Sequence, residues 1–315
     1  MLLKPPWHFY PRGSSFMKKS PLFSLIGFGW VVVSLFGAAG VASAAECENP
    51  KTITFSMVPT EDTAKELAIY QPLIKHLEET TGKRVDFYSP TSYASVMEAL
   101  VSGWVDVAVL GPASYTQAKA MNDNILVFAT YSRHAGHMQE EGPGYRANLI
   151  SRAGSGIKTV EDAKGKLLGL VDPASTSGHL LPNVAFAADT GATLEEYFSR
   201  IVYTGGHDLS ALAVKEGRVD VAFVATHRFD NVVDRGDITL DDVNVLWKSA
   251  VVPQDPFVYR QSLCEDLRDK IAQAFLTAHD VPSVQPYFTA INSPRFVKMA
   301  DGDYDLIRDL QAKAD

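Results

Sequence analysis

The sequence predicts an α/β protein built as two similar lobes with a cleft between them. Three observations carry that expectation. From Lys51 onward, short apolar runs alternate with segments of helical apolar spacing, the pattern of strands joined by crossover helices with parallel pairing. The tract Leu100-Val-Ser-Gly-Trp-Val-Asp-Val-Ala-Val109 returns 114 residues later as Val214-Lys-Glu-Gly-Arg-Val-Asp-Val-Ala-Phe223. That period is too long for a solenoid and fits two related α/β units. Finally, the chain from Ala45 to Asp315 has 271 residues, enough for one large core or two medium ones.

Taken in order, Lys51 to Val58 alternates and reads as a strand, and Pro59 to Thr63 as a loop that starts a helix. Leu67, Ile69, Tyr70, Leu73, Ile74 and Leu77 fall on one helical face over Glu66 to Thr80, and Gly82 stops the helix. Arg84 to Tyr88 is a strand, Tyr93 to Val101 a helix ended at Gly103, and Val105 to Leu110 a strand closed by Gly111-Pro112. Ala113 to Ala120 starts a helix and Val127 to Ser132 is a strand. Residues 134–146, with His134, His137 and several glycines, form a loop. Arg146 to Ser151 is a strand and the expected crossing between lobes. Thr159 opens a capped helix before Gly165. Lys166 to Val171 is a buried strand, Asn183 to Asp189 and Thr193 to Phe198 are helices, and Arg200 to Tyr203 is a strand. Val219 to Val224 is the second copy of the repeated strand. After Asp234 come a loop, the strand Val243 to Trp247, the rigid turn Pro253 to Pro256, the strand Phe257 to Tyr259 and a helix from Leu267 to Ala278. A chain that leaves the first lobe near Ile150 and returns near Trp247 gives lobe 1 as residues 45–147 and 247–315, and lobe 2 as residues 148–246. Two crossings make a hinge, and ligands bind between such lobes.

The first 44 residues are expected to be a secretory signal peptide. Lys18-Lys19 form the basic start, Pro21 to Val41 is nearly all apolar, and Ala42-Ser-Ala44 is the cleavage site. Cys47 is no lipid-attachment cysteine, because Glu46 stands where a small residue is needed. Formal net charge is −8, and removal of four basic leader residues takes it to −12. So acidic a protein is a poor ligand for nucleic acid or anionic membrane. Any anion it binds must be held locally, by hydroxyls, amides and helix ends against the overall field. Cys47 and Cys264 have no metal or redox spacing. Export permits a disulfide between them, tying the start of the mature chain to its last third, or leaves two unpaired thiols.

The segment Asp172-Pro-Ala-Ser-Thr-Ser-Gly-His179 joins a buried strand to a helix. Ser175, Thr176 and Ser177 there combine three hydroxyls with free N–H groups and the positive end of a helix dipole, which is an anion site in outline. Gly178 allows close backbone approach. His207, after Gly205-Gly206 at a strand end, can donate to an anion oxygen from across the cleft. His227 follows a strand at its C-terminal end, where open α/β sheets place ligands. Tyr93, Tyr115 and Tyr131 also lie at or beyond strand ends, where a hydroxyl-bearing ring suits a cleft wall. Asp255 can accept a hydrogen bond from a protonated ligand oxygen or an amine. No G-x-S-x-G elbow, H-E-x-x-H, C-x-x-C or phosphate-binding loop occurs, which argues against an enzyme and against a cofactor. His134 and His137, three apart, leave a metal in that loop open.

These segments, with Gly111-Pro-Ala-Ser-Tyr115, Gly205-Gly-His207 and the Gly-Arg-Val-Asp-Val-Ala run ending at Ala222, resemble the phosphate, phosphite and phosphonate-binding proteins of ABC uptake systems. The resemblance implies a two-lobed periplasmic binding protein fold of type II. It places the anionic head on Ser175, Thr176, Ser177 and His207, with Tyr93, Tyr131 and Asp255 from the first lobe. It implies a periplasmic monomer whose partners are a small oxyanion and an inner-membrane permease. A sensory role beside a histidine kinase, for a phosphate- or arsenic-type oxyanion, is the alternative reading, and a hydrolase the remote one. Two features depart from the family pattern: a longer 134–146 loop, and His227 where an acidic residue can hold a substituent amine. The second favours phosphate, phosphite or methylphosphonate over an aminophosphonate. Cys47 and Cys264 belong to neither ligand motif, which argues against arsenite.

Overall fold

A computed structural model describes residues 47–314. The expected leader, residues 1–44, lies outside them. Among the described residues no helix is long and apolar enough to cross a membrane.

Among the described residues, thirteen strands make two main sheets and one small ribbon. In chain order they are β1 (Thr52–Met57), β2 (Arg84–Phe87), β3 (Val107–Val109), β4 (Ile125–Ser132), β5 (Gly144–Tyr145), β6 (Ala147–Arg152), β7 (Leu167–Leu170), β8 (Arg200–Tyr203), β9 (Val221–Ala225), β10 (Val243–Lys248), β11 (Val252–Pro253), β12 (Phe257–Arg260) and β13 (Arg295–Lys298). The first sheet has the order β13-β4-β12-β3-β1-β2 and the second β10-β6-β9-β7-β8. The β5–β11 ribbon lies on the chain just before it enters β6 and just after it leaves β10. This is a two-lobed α/β fold.

Parallel pairing holds only at one edge of each sheet: β2-β1-β3 in the first, β8-β7-β9 in the second. β12 runs antiparallel to β3, and β6 antiparallel to β9. The physical reason is the route of the chain. Each of these strands arrives from the other sheet and so enters against the direction of its neighbours. No crossover helix precedes it to turn it round.

Side-chain alternation fills a core on both faces of each sheet. Val107 and Val109 of β3 pack with Phe55, Tyr70, Leu73 and Phe275, whereas Ala108 and Leu110 pack with Val96, Leu100 and Tyr304. In β9, Val221 and Phe223 face Phe186 and Leu194, and Ala222 and Val224 face Ala211 and Phe229. Cys47 and Cys264 form a disulfide that closes a sequence separation of 217 residues. Beside it, Arg260 binds both Glu48 and the buried Asp106.

Two local expectations change. The helix expected from Asn183 begins at Thr176, in two successive wide π-type turns, Thr176–Leu180 and Pro182–Phe186. Pro182 has no N–H to give to the carbonyl four residues back. That carbonyl, of Gly178, accepts the Val171 N–H instead at 3.1 Å. The capped helix expected at Thr159 is a single 3₁₀ turn, Glu161–Ala163.

Candidate functional site

A small polar chamber lies between the two sheets. Its lining is Thr60, Tyr93, Gly111, Tyr145, Ser175, Thr176, Ser177, His207, Ala225, His227, Arg228 and Asp255. All but Gly111 and Ala225 carry polar side chains.

The serine and threonine turn forms one wall. Ser175 is the N-cap of the helix that starts at Thr176, and its hydroxyl accepts the Gly178 N–H at 3.0 Å. The first N–H groups of that helix, on Thr176 and Ser177, have no acceptor within the helix and carry its positive dipole end. Gly178 is required by close approach rather than by positive φ: a Cβ there would collide with the Val171 side chain. Thr176 also reaches across the gap, its Oγ1 accepting the Ala113 N–H at 2.8 Å. Ser114 Oγ donates to the Ala174 carbonyl at 2.8 Å beside it.

His207 opens the helix His207–Lys215, and its own N–H donates to the Thr60 carbonyl at 2.7 Å. The Ala225 N–H donates to His207 Nδ1 at 3.1 Å, so the ring proton sits on Nε2. Burial, and then the nearby Arg228, push His207 down to about 3, so the ring is neutral at pH 7. The result is a neutral N–H donor fixed in tautomer by the backbone.

His227 lies in the first turn of the helix Thr226–Asp234, which runs directly off β9. It is 2% exposed and packs edge-on against Tyr145, with ring centroids 4.9 Å apart. Neither ring nitrogen has a hydrogen-bond partner, and Tyr93 Oη has none either. Burial and three cationic or histidine neighbours (Arg133, Arg228 and His207) hold His227 well below its ordinary value, so it too is neutral. Asp255 Oδ2 stands 3.9 Å from His227 Nε2, beyond hydrogen-bond reach.

Arg228 joins the lobes through charge. Its Nη1 donates to Glu66 at 2.9 Å and to Glu61 at 3.4 Å, and its Nη2 donates to Asp255 at 3.1 Å. Asn231 and Arg235, from the same helix side, add donors to Glu61. Burial raises the carboxyl groups of Asp255 and Glu66, and Arg228 opposes the shift in both. The one guanidinium lining the chamber is thus held by carboxylates through both Nη atoms, while its Nε has no hydrogen-bond partner.

The chamber brings together Ser175, Thr176, Ser177, His207, His227, Tyr93 and Asp255. Tyr115 and Tyr131 are not among its lining residues. Both are buried, but Tyr115 Oη donates to Asp301 and Tyr131 Oη pairs with Tyr70. Arg228, Thr60 and Tyr145 line the chamber and were not singled out by the sequence. Arg228 stands next to His227, but the carboxylates it pairs with are distant in sequence. His137 pairs with Asp234 at 3.0 Å, and His134 is exposed. Among the described residues no group of three His, Cys, Asp or Glu side chains is placed to hold a metal ion.

Two α/β lobes with a donor-lined chamber between their sheets define a solute-binding protein of the periplasmic class. Residues 55–304 match the family of periplasmic phosphonate substrate-binding proteins of ABC transporters, and the chain belongs to it. It is 30% identical over 280 residues to the phosphate-import protein PhnD of Mycolicibacterium smegmatis, covering 82% of this chain and 84% of that one. It is 30% identical over 254 residues to the phosphonates-binding periplasmic protein of Escherichia coli, covering 79% and 73%. The crystal structure of a binding component of an ABC phosphonate transporter from Pseudomonas aeruginosa superposes with a TM-score of 0.77 at 26% identity, covering 85% of this chain and 87% of that one.

Proposed function

We propose that this chain is the exported receptor of an ABC uptake system and captures a compact phosphorus oxyanion, phosphonate, phosphite or phosphate, in the chamber between its lobes. It carries out no chemical step. The observation that supports this most is the convergence on one chamber of the Ser175–Ser177 turn, a helix start and the Nε2 donor of His207. Neutral donors and a helix end hold an anion locally, as the acidic chain requires. Ligands attributed to the relatives by name, phosphate in one and phosphonates in another, are of this class.

In this reading residues 45–147 and 247–315 form lobe 1 and residues 148–246 lobe 2, with the β5–β11 ribbon as hinge. Residues 1–44 direct export and are removed. The closed form is held by Arg228 on Glu61, Glu66 and Asp255, and is presented to a membrane permease. Ligand shifts the open–closed equilibrium by its preference for the closed state.

Calorimetric titration with phosphate, phosphite and methylphosphonate tests the reading. Ser175→Ala with Thr176→Ala should weaken every ligand by at least about 100-fold, since two charge-assisted hydrogen bonds are lost. The circular dichroism spectrum should be kept. Unchanged affinity in a folded double variant defeats the assignment.

A further inference from the structure

Resting on the receptor reading, we infer that Arg228 is itself a ligand-binding residue: its Nε–H donates to the captured anion while its Nη atoms hold the two lobes together. One guanidinium then reads both the guest and the closed state. Arg228 is the one residue that lines both the chamber and a neighbouring cavity, whose wall includes Glu61, Glu66, Arg133 and Asn231. The partners of its Nη1, Glu61 and Glu66, belong to that second cavity. The partner of its Nη2, Asp255, belongs to the chamber. A guanidinium is planar, and its Nε–H lies on the same edge as Nη2. The unpartnered Nε is therefore on the edge turned to the chamber.

Two more lining residues carry buried polar atoms without a partner, Tyr93 at Oη and His227 at its ring nitrogens. Arginine, tyrosine and neutral histidine each have a hydrogen to give. A buried donor left unsatisfied loses its hydration and recovers nothing. Asp255 does not serve them: its Oδ2 is 3.9 Å from His227 Nε2 and is already held by Arg228 Nη2. An oxyanion in the chamber supplies the missing acceptors. Among these donors Arg228 alone carries charge, and its carboxylate partners do not use that charge up. Glu61 is shared with Arg235. The buried Arg133, with no carboxylate partner among the described residues, acts on Asp255 through charge. Within this cluster three arginines face three carboxylates, so the guest does not meet a net negative wall.

The experiment follows the arginine Nε–H signals of the dialysed, isotope-labelled protein by NMR during titration with inorganic phosphate, phosphite and methylphosphonate. The Arg228 signal, assigned through its side chain from the backbone, should move downfield and exchange more slowly with water when an anion binds. Arg235 is the control, since it shares Glu61 with Arg228 but does not line the chamber. A shift of equal size in both signals reports closure alone and overturns the inference. An Arg228 signal that stays in place while an anion binds overturns it as well. Arg228→Lys keeps a cation for Glu66 and Asp255 but lacks the Nε–H, and should weaken the bound anion by about tenfold or more. Unchanged affinity in the folded variant overturns the inference and leaves the receptor reading standing. Should Arg228→Lys fail to fold, the signals of the native protein decide. Absence of calorimetric binding by all three anions removes both the inference and the reading beneath it.

Discussion

Where the helix Tyr93–Val101 ends, Gly103 takes a φ of 82°, and where His207–Lys215 ends, Gly217 takes 71°. In each lobe the two N–H groups after the glycine converge on one carbonyl, Trp104 and Val105 on Ala99, Arg218 and Val219 on Ala213. In each lobe the next aspartate braces a neighbouring strand: Asp106 Oδ2 accepts from Thr54 N, and Asp220 Oδ2 from Leu167 N, both at 2.8 Å. The difference lies in what else each copy holds. Asp106 is buried and binds Arg260 beside the disulfide, whereas Asp220 is exposed. At the far end of the repeated strand, β3 delivers Gly111 and the Ala113 N–H, while β9 delivers Thr226, His227 and Arg228. The shared sequence is therefore scaffolding, and the chemistry sits on the residues that follow it.

The largest test of that contrast is Arg228→Met. It leaves Glu61, Glu66 and Asp255 of the first lobe buried without their common counter-charge, and should cost about 3–5 kcal/mol in chemical denaturation. Adding Glu66→Gln and Asp255→Asn should recover part of the loss; no recovery would mean that Arg228 acts through packing alone. Next comes the matched pair Asp106→Asn and Asp220→Asn. The first should cost about 2–3 kcal/mol, because the buried Asp106 carboxylate holds the half-buried Arg260, and the second about 1 kcal/mol or less. Equal losses would show that the two copies carry equal load. Smallest per pH unit is a difference in sign between the chamber walls. His207 and His227 come from the second lobe and are depressed by burial, His207 to about 3. Between that value and the ordinary one near 6.5 the unfolded chain binds more protons, so stability falls on acidification, by at most about 1.4 kcal/mol per pH unit per ring. Glu66 and Asp255 of the first lobe are raised by burial, so they stabilise on acidification and lose that contribution as pH rises. Melting temperatures over pH 4–7 should therefore flatten in His207→Gln and steepen in Asp255→Asn, and parallel curves would contradict the opposed signs.

Much of this was legible in the sequence because it is local. The helix Tyr93–Val101 and the strand Arg200–Tyr203 fall where apolar spacing puts them. The Ser175–Ser177 turn is readable because a strand, a hydroxyl cluster and a helix are contiguous. Arg228 was not readable, since its meaning depends on Glu61, Glu66 and Asp255, which meet it only after folding. The helix Thr226–Asp234 escaped notice because it leaves β9 with no side-chain cap and no glycine or proline to mark its start. Tyr115 and Tyr131 show the limit of the strand-end rule. It locates a backbone position but not the direction of a ring, and both hydroxyls turn to partners of their own, Asp301 and Tyr70. The antiparallel entry of β6 and β12 likewise follows from the route between sheets, which no short window contains.

Thr176 Oγ1 belongs at once to the chamber lining and to the bond with Ala113 across the gap. Under the proposed function, grip on the guest and docking of the halves share an atom, and the Kd to be measured is the intrinsic one divided by the docked fraction. A substitution at Glu61 or Asn231, neither of which lines the chamber, should then rescale affinity as one inside it does. On that proposal, positions outside the chamber give the receptor an adjustable working range: sensitivity to scarce or plentiful ligand is tuned while selectivity stays intact.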